Sequence, residues 1–393
     1  MKKLDFKGLI PTHQTRLEKL DPSQTWDYGY IKDERKIIDC LLHYSCFMLG
    51  YRYPDFIDNV AEMMKGVKPE TAETQTVIDD TPKMNHVSYE LAEKLYEISG
   101  GFRVFYQLSG SDAVEGAVKL ASAYQKVTGN DHKKKIVSMT PGYHGSTLLT
   151  SSCAWENAMP PDPFYTLEPY QGVIRVERDF TEDDVDWNEV ACILVETCQY
   201  GECIMPFSDE FWAKLNHIRD KHNVLIVIDD VFMGGGKTGH FIGWKHLPIV
   251  PDIFTQGKSI TGGYFPLSIT YYNDKIHKAL GPDFEWNHGY TYSFAVAGIC
   301  STLEYLRILE RDKLLDNTDA LVERATKVFT ENHFSIAGRF GLHFTISIAG
   351  VNFMYLIPLN ADDEYFDALD SNLKELFDLA ERKLGYSLIA GGR

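Results

Sequence analysis

The chain has 393 residues, with 39 lysines and arginines against 56 aspartates and glutamates, a formal net charge of −17. Apolar residues make up 44% and charged residues 24%, which suits a folded protein and is too apolar for a disordered one. The acidic excess argues against nucleic acid or an anionic membrane as partner, and the length predicts one large domain plus a smaller one.

In chain order, residues 25–60 hold short aromatic-rich segments and the turn Gly50-Tyr51-Arg52-Tyr53-Pro54. Val104 to Leu108 reads as a strand, followed by a helix from Ser111 to about Lys126. Ala113, Val114, Ala117, Val118 and Ala121 form the apolar face of that helix. Lys135 to Met139 is the next strand, Pro160-Pro161-Asp162-Pro163 is a loop, and the acidic run Glu177 to Glu189 reads as a solvated face. Cys192 to Val195 and Val224 to Ile228 are strands flanking a helix over Asp209–His222. Ser208 is its expected N-cap, and Phe211, Trp212, Leu215 and Ile218 its buried stripe. Continuous apolar strands separated by helices predict a mainly parallel sheet covered on both faces. From about residue 300 long helical patterns dominate, interrupted by a strand-like Leu342 to Ile348. The expected division is 1–60 as the first part of a small α+β domain, 61–290 as a large α/β domain, and 291–393 as the rest of the small one.

Seven cysteines (Cys40, Cys46, Cys153, Cys192, Cys198, Cys203, Cys300) are odd in number and form no CxxC pair. This predicts reduced thiols in a cytoplasmic protein and no metal site. The first residues lack the apolar core of a signal peptide, and no run approaches 18 apolar residues, so no membrane partner is expected.

Four features carry chemistry. Ser109-Gly110-Ser111-Asp112 lies where a strand gives way to a helix, a place that can hold a phosphate or simply cap the helix. Gly234 to Gly239 satisfies a dinucleotide glycine pattern, yet no helix follows, and the first glycine of a Walker A loop is Val231. Asp229 and Asp230 end the most apolar strand, where open α/β sheets place ligands. Lys258 sits in Thr255-Gln256-Gly257-Lys258-Ser259; a desolvated lysine becomes nucleophilic, whereas most lysines are surface charges.

Taken in order, these segments resemble the class III (subgroup II) aminotransferases, which use pyridoxal 5′-phosphate (PLP) on fold type I. Ser109-Gly110-Ser111-Asp112-Ala113-Val114-Glu115 is similar to the family's S-G-S/T-E-A-x-E, and Tyr143-His144-Gly145 to its Y-H-G. Asp229 to Gly239 resembles D-E-V-Q-T-G-x-G-R-T-G, Pro251 to Lys258 resembles P-D-I-x-T-x-G-K, and His288 to Ser293 resembles H-G-x-T-Y-S. The resemblance implies an α/β fold with a mainly parallel sheet of the seven-stranded type and a small α+β domain built from both chain ends. It implies that Lys258 forms a Schiff base with PLP and then shuttles a proton. Asp229 would pair with the pyridine nitrogen, and Tyr143 and Val231 would pack the two faces of the ring. The N–H groups of Gly110 and Ser111 would hold the phosphate, joined by Thr291 from the neighbouring subunit of a homodimer. Tyr44, Ser45 and Phe47 match a segment lining the substrate pocket of relatives.

The implied activity is transfer of an amino group from an amine or amino acid to an oxo acid or carbonyl acceptor by a ping-pong cycle. The alternatives are an aminomutase of the same fold and a catalytically impaired PLP-binding homologue. Five departures stand out: Phe232 replaces the family's Gln, Asp230 and Lys237 replace its Glu and Arg, Glu202 is out of register with its gating glutamate, and the chain looks short after Ala390.

Overall fold

The computed structural model describes residues 22–67, 85–154, 170–200, 203–284, 286–348 and 350–384. The Pro160–Pro163 loop, Glu202 and the last residues therefore lie outside the described residues. The chain opens with an antiparallel meander of β1 (Thr25–Trp26), β2 (Gly29–Lys32) and β3 (Arg35–Ile38). A short turn, α1 (Leu42–Ser45), and the helices α2 (Phe56–Lys65) and α3 (His86–Ser99) follow.

Next comes β4 (Arg103–Gln107), then α4 (Gly110–Val127), β5 (Lys135–Met139), α5 (Leu148–Ser152), β6 (Val173–Val176) and β7 (Val190–Glu196). A two-stranded pair, β8 (Gln199–Tyr200) and β9 (Ile204–Met205), precedes α6 (Asp209–His222) and β10 (Leu225–Asp229). β11 (Ile253–Gln256), β12 (Ser268–Tyr272) and α7 (Asp274–Leu280) complete the central layer.

Seven of these strands form one sheet in the order β4-β12-β11-β10-β7-β5-β6. β12 runs antiparallel to both of its neighbours, while the remaining pairs are parallel. This is the mainly parallel α/β sheet of fold type I. Every residue of β7 and β10 is buried, because helices cover both faces and leave no polar side.

The helix readings hold in detail. Ser208 Oγ accepts the Phe211 N–H at 3.3 Å, and Phe211, Trp212, Leu215 and Ile218 are the buried residues of α6. At the start of α4, Ser109 and Asp112 form a reciprocal capping box. Glu177 to Glu189 is mostly exposed, with Phe180, Val185 and Trp187 anchoring it.

After β12 come α8 (Val296–Arg311), α9 (Thr318–Glu331), and an antiparallel sheet of β13 (Ser335–Phe340), β14 (His343–Ile348) and β15 (Val351–Leu356). The last helix is α10 (Asp363–Leu384). The amino-terminal meander packs on it: Asn372 accepts the Ile38 N–H at 2.9 Å and donates to Lys36 O at 2.8 Å. Tyr28 and Tyr365 meet edge to face at 5.1 Å. Among the described residues no helix is long and apolar enough to cross a membrane, and no cluster of His, Cys, Asp or Glu could hold a metal. The seven cysteines are all free thiols, four of them buried.

Candidate active site

Register across three adjacent strands creates the site. Glu196, Asp229 and Thr255 are direct partners along β7, β10 and β11, so they stand side by side at the carboxyl edge of the sheet, where such folds bind ligands. Above that edge lies a cavity of about 580 Å³. It is lined by Gly110, Ser111, Tyr143, Val231, Asp229 and Lys258, together with Tyr44 and Ser45. Eight of the ten residues singled out in the sequence thus meet in one space.

The other two do not line it. Phe47 packs edge to face on Tyr264 at 5.5 Å and against Tyr51 at 4.8 Å. The α1 turn carries Tyr44 and Ser45 to the cavity, and all four of its residues, Leu42 to Ser45, have positive φ. Two residues past Ser45, Phe47 enters the turn closed by the Gly50 N–H on its carbonyl and faces the aromatic cluster instead. Thr291 is exposed and lies outside the cavity of its own chain.

Asp229, at the end of β10, is almost wholly buried and fully engaged. His144 Nδ1 lies 2.8 Å from its Oδ2, while Oδ1 accepts the Val231 N–H at 3.1 Å and the Thr255 hydroxyl at 3.2 Å. These three contacts lock the Asp229 side chain in one orientation. His144 is buried as well, and its Nε2 has no partner among the described residues. Glu196, on the adjacent strand in the same row, is held well above the usual carboxylate range by burial, with the Asp229 charge adding to it. Sequence reasoning gave His144 and Glu196 no role. The signal was present, since His144 belongs to the Tyr-His-Gly segment and Glu196 ends a strand as Asp229 does.

Lys258 opens a 3₁₀ turn (Lys258–Thr261) directly after Gly257, with φ of 52°. Burial pushes its amine below the ordinary lysine value, and Cys46, Asp229 and Glu196 pull it back up in part. Its Nζ stands 4.8 Å over the Phe232 ring. The turn is braced from behind by the glycine-rich run that mimics a nucleotide loop. Lys237 in that run is fully buried, and its Nζ donates to Gly234 O at 2.7 Å and Ser259 Oγ at 2.5 Å. Desolvation lowers Lys237 to about 7, with the Lys258 charge contributing. A lysine so placed is unavailable to a nucleotide phosphate. Asp230, raised to about 7 by burial, accepts from Thr197 Oγ1 at 2.6 Å and from the Gly243 N–H at 2.8 Å, tying the run to the sheet.

At the amino end of α4 the capping box satisfies the Asp112 N–H and leaves those of Gly110 and Ser111 without an intrahelical acceptor. With the helix polarity these free donors could receive an anion beside the cavity. Gly110 also touches Val231: a Cβ there would lie 2.7 Å from Val231 Cγ1. Only glycine allows this approach. Tyr143, partly exposed, stands on the cavity wall with its hydroxyl 3.1 Å from Ser146 Oγ. The set comprises an amine, a clamped carboxylate, an anion cradle and two surfaces for a flat ring. It fits PLP group by group.

Comparison with known proteins gives the same answer. The profile of the family described as aminotransferase class-III matches residues 26–333. A diaminobutyrate–2-oxoglutarate transaminase of Halomonas elongata is 28% identical over 375 residues, covering 87% of this chain and 76% of that protein. An acetylornithine aminotransferase of Vibrio parahaemolyticus is 30% identical over 277 residues, covering 69% of this chain and 62% of its own length. A PLP-bound aminotransferase mutant from Vibrio fluvialis shares the fold, with a TM-score of 0.76 at 18% identity and 91% of each chain covered. With the profile spanning most of the chain and the cavity furnished as it is, the protein belongs to the class-III aminotransferases, whose cofactor is pyridoxal 5′-phosphate.

Proposed function

We propose that the cavity moves an amino group from an amine or amino-acid donor to an oxo acid or carbonyl acceptor in two half-reactions of a ping-pong cycle. The observation that supports this most directly is the convergence of Lys258, Asp229 and the amino end of α4 on one cavity. Bound PLP supplies a protonated pyridine ring that withdraws electrons from the carbon losing its proton.

The remaining work falls to the chain. Asp229 keeps the ring nitrogen protonated, and His144, Thr255 and the Val231 N–H fix the direction of its carboxylate. Tyr143 and Val231 set the ring plane, and the Gly110 and Ser111 N–H groups hold the phosphate. Lys258 Nζ would hold the cofactor, and when free the same Nζ would take the proton from the donor α-carbon. Its depressed basicity keeps a neutral fraction available for that step. Tyr44 and Ser45 contact the substrate. Thr291, exposed in its own chain, reaches the phosphate of a second copy, which makes the working unit a homodimer. Free thiols at all seven cysteines support a reducing, cytoplasmic setting.

The test is reconstitution with PLP followed by borohydride reduction and peptide mapping, alongside an amine-donor panel read by cofactor absorbance. The cofactor is expected on the Lys258 peptide and absent from Lys258→Ala, and an accepted donor releases a distinct oxo product. An aminomutase would turn over without releasing one. A protein that takes up PLP without labelling Lys258 would overturn the proposal.

A further inference from the structure

Phe232 breaks the family resemblance at a position next to the reactive lysine, and the structure shows what it does there. Its ring lies 4.8 Å below Lys258 Nζ, within the range of a cation–π contact. The ring is itself fixed: His343 packs against it at 4.4 Å and Tyr200 at 5.1 Å. His343 is held by Ser45, whose Oγ lies 3.3 Å from Nε2. Burial and the nearby Lys237 and Lys258 charges keep the imidazole well below its usual value, hence neutral. The packing behind Phe232 therefore adds no positive charge against an ammonium in front of it. The charged or titratable groups that act on Lys258 are Asp229, Glu196 and Cys46, with the buried Lys237 behind its turn, and Tyr44, Tyr143, His144 and Tyr200 line the same cavity.

We propose that Phe232 is a positioning residue whose ring face holds the free, protonated amine of Lys258 inside the cavity whenever that amine is not bonded to the cofactor. An amide at this position offers no such face. The ring favours the ammonium form against the cost of burial, and it keeps Nζ at the cavity wall rather than folded away. The inference rests on Lys258 being the cofactor-bonding lysine, but its test does not need the cofactor.

The experiment is competitive acetylation of the cofactor-free protein with acetic anhydride across pH, each lysine being followed by mass spectrometry. The exposed Lys65 serves as internal reference. Phe232→Leu, Phe232→Gln and Phe232→Tyr are compared with the parent. The plateau at high pH reports access, and the midpoint reports protonation. Loss of the ring face in Phe232→Leu and Phe232→Gln is expected to raise Lys258 labelling below the midpoint about threefold or more, with an unchanged plateau. Phe232→Tyr keeps the face and should stay within about twofold of the parent. Gln, which occupies this position in the family pattern, serves if the Leu chain fails to fold. Unchanged midpoints in Leu and Gln, or an equal shift in Tyr, would overturn the inference. Neither result bears on whether PLP labels Lys258, so failure of the functional proposal is read separately.

Discussion

Gly110→Ala puts the cradle under a defined load. The new Cβ would lie 2.7 Å from Val231 Cγ1 and 3.2 Å from Cγ2, while Val231 Cβ at 3.5 Å remains in ordinary contact. Overpacking of this kind costs about 1–3 kcal/mol. Replacing glycine in a helix returns up to ~1 kcal/mol through propensity and the unfolded chain. The net loss of stability is therefore about 1 kcal/mol. The effect on PLP should be larger than that figure suggests, because relief of the clash drives Val231 toward the ring position and tilts the N–H groups of the cradle. Val231→Ala alone removes both offending methyls at a cost of about 1–2 kcal/mol. In the double variant the clash has no partner left. A double-mutant cycle read by thermal melting and by PLP titration should then give a compensating coupling of at least ~1 kcal/mol. Additive effects within ~0.3 kcal/mol, or a Gly110→Ala protein with unchanged PLP affinity, would refute the claim that the contact between Gly110 and Val231 shapes the cofactor site.

Asp229→Asn keeps the size of the side chain and removes its charge; we expect the rate to fall about 10²-fold or more with PLP affinity changed far less, checked by single-turnover absorbance and titration. Thr291→Val should weaken PLP binding in a homogeneous sample, yet a hybrid with Lys258→Ala chains should regain one sound site per dimer, seen as recovered PLP affinity at that site. Lys237 predicts a stability profile: lowered to about 7 in the fold, it binds fewer protons folded than unfolded between that value and the ordinary lysine range. The stability it contributes is present above the ordinary lysine range and is lost as pH falls toward about 7. Melting of the parent relative to Lys237→Met should accordingly rise from pH 7 to pH 10, and a flat difference would count against a desolvated lysine.

Much of this molecule was legible in advance because local rules and distant order agreed. Ser208 capping α6, the apolar stripe of Phe211, Trp212, Leu215 and Ile218, and the all-apolar β7 and β10 follow from spacing and burial that neighbouring residues dictate. Lys258, Asp229, Gly110 and Ser111 could be selected because each sits in a short segment with its own chemistry, whereas Tyr143 and Val231 were selected through the resemblance to the family's motifs. The glycine-rich run at Gly234 to Gly239 could be rejected as a nucleotide loop for a similar local reason, the missing helix.

What lay beyond reach was partnership. No spacing in the chain says that Glu196 and Asp229 are neighbours, since strand register across β7 and β10 decides it. Nor does any say that His144 clamps Asp229 from 85 residues away. Phe232 read only as a missing glutamine until folding set Lys258 over its ring and His343 against it, 111 residues further along the chain. Phe47 shows the opposite error: adjacent to pocket residues in sequence, it was carried to an aromatic cluster by a turn. The opening charge of −17 is recast in the same way. Composition alone determined that a strongly acidic chain would repel polyanions; only tertiary structure brought the free N–H groups at the start of α4 to the same cavity as Asp229 and Lys258, because strand register and loop packing, not the count of charges, set which groups meet.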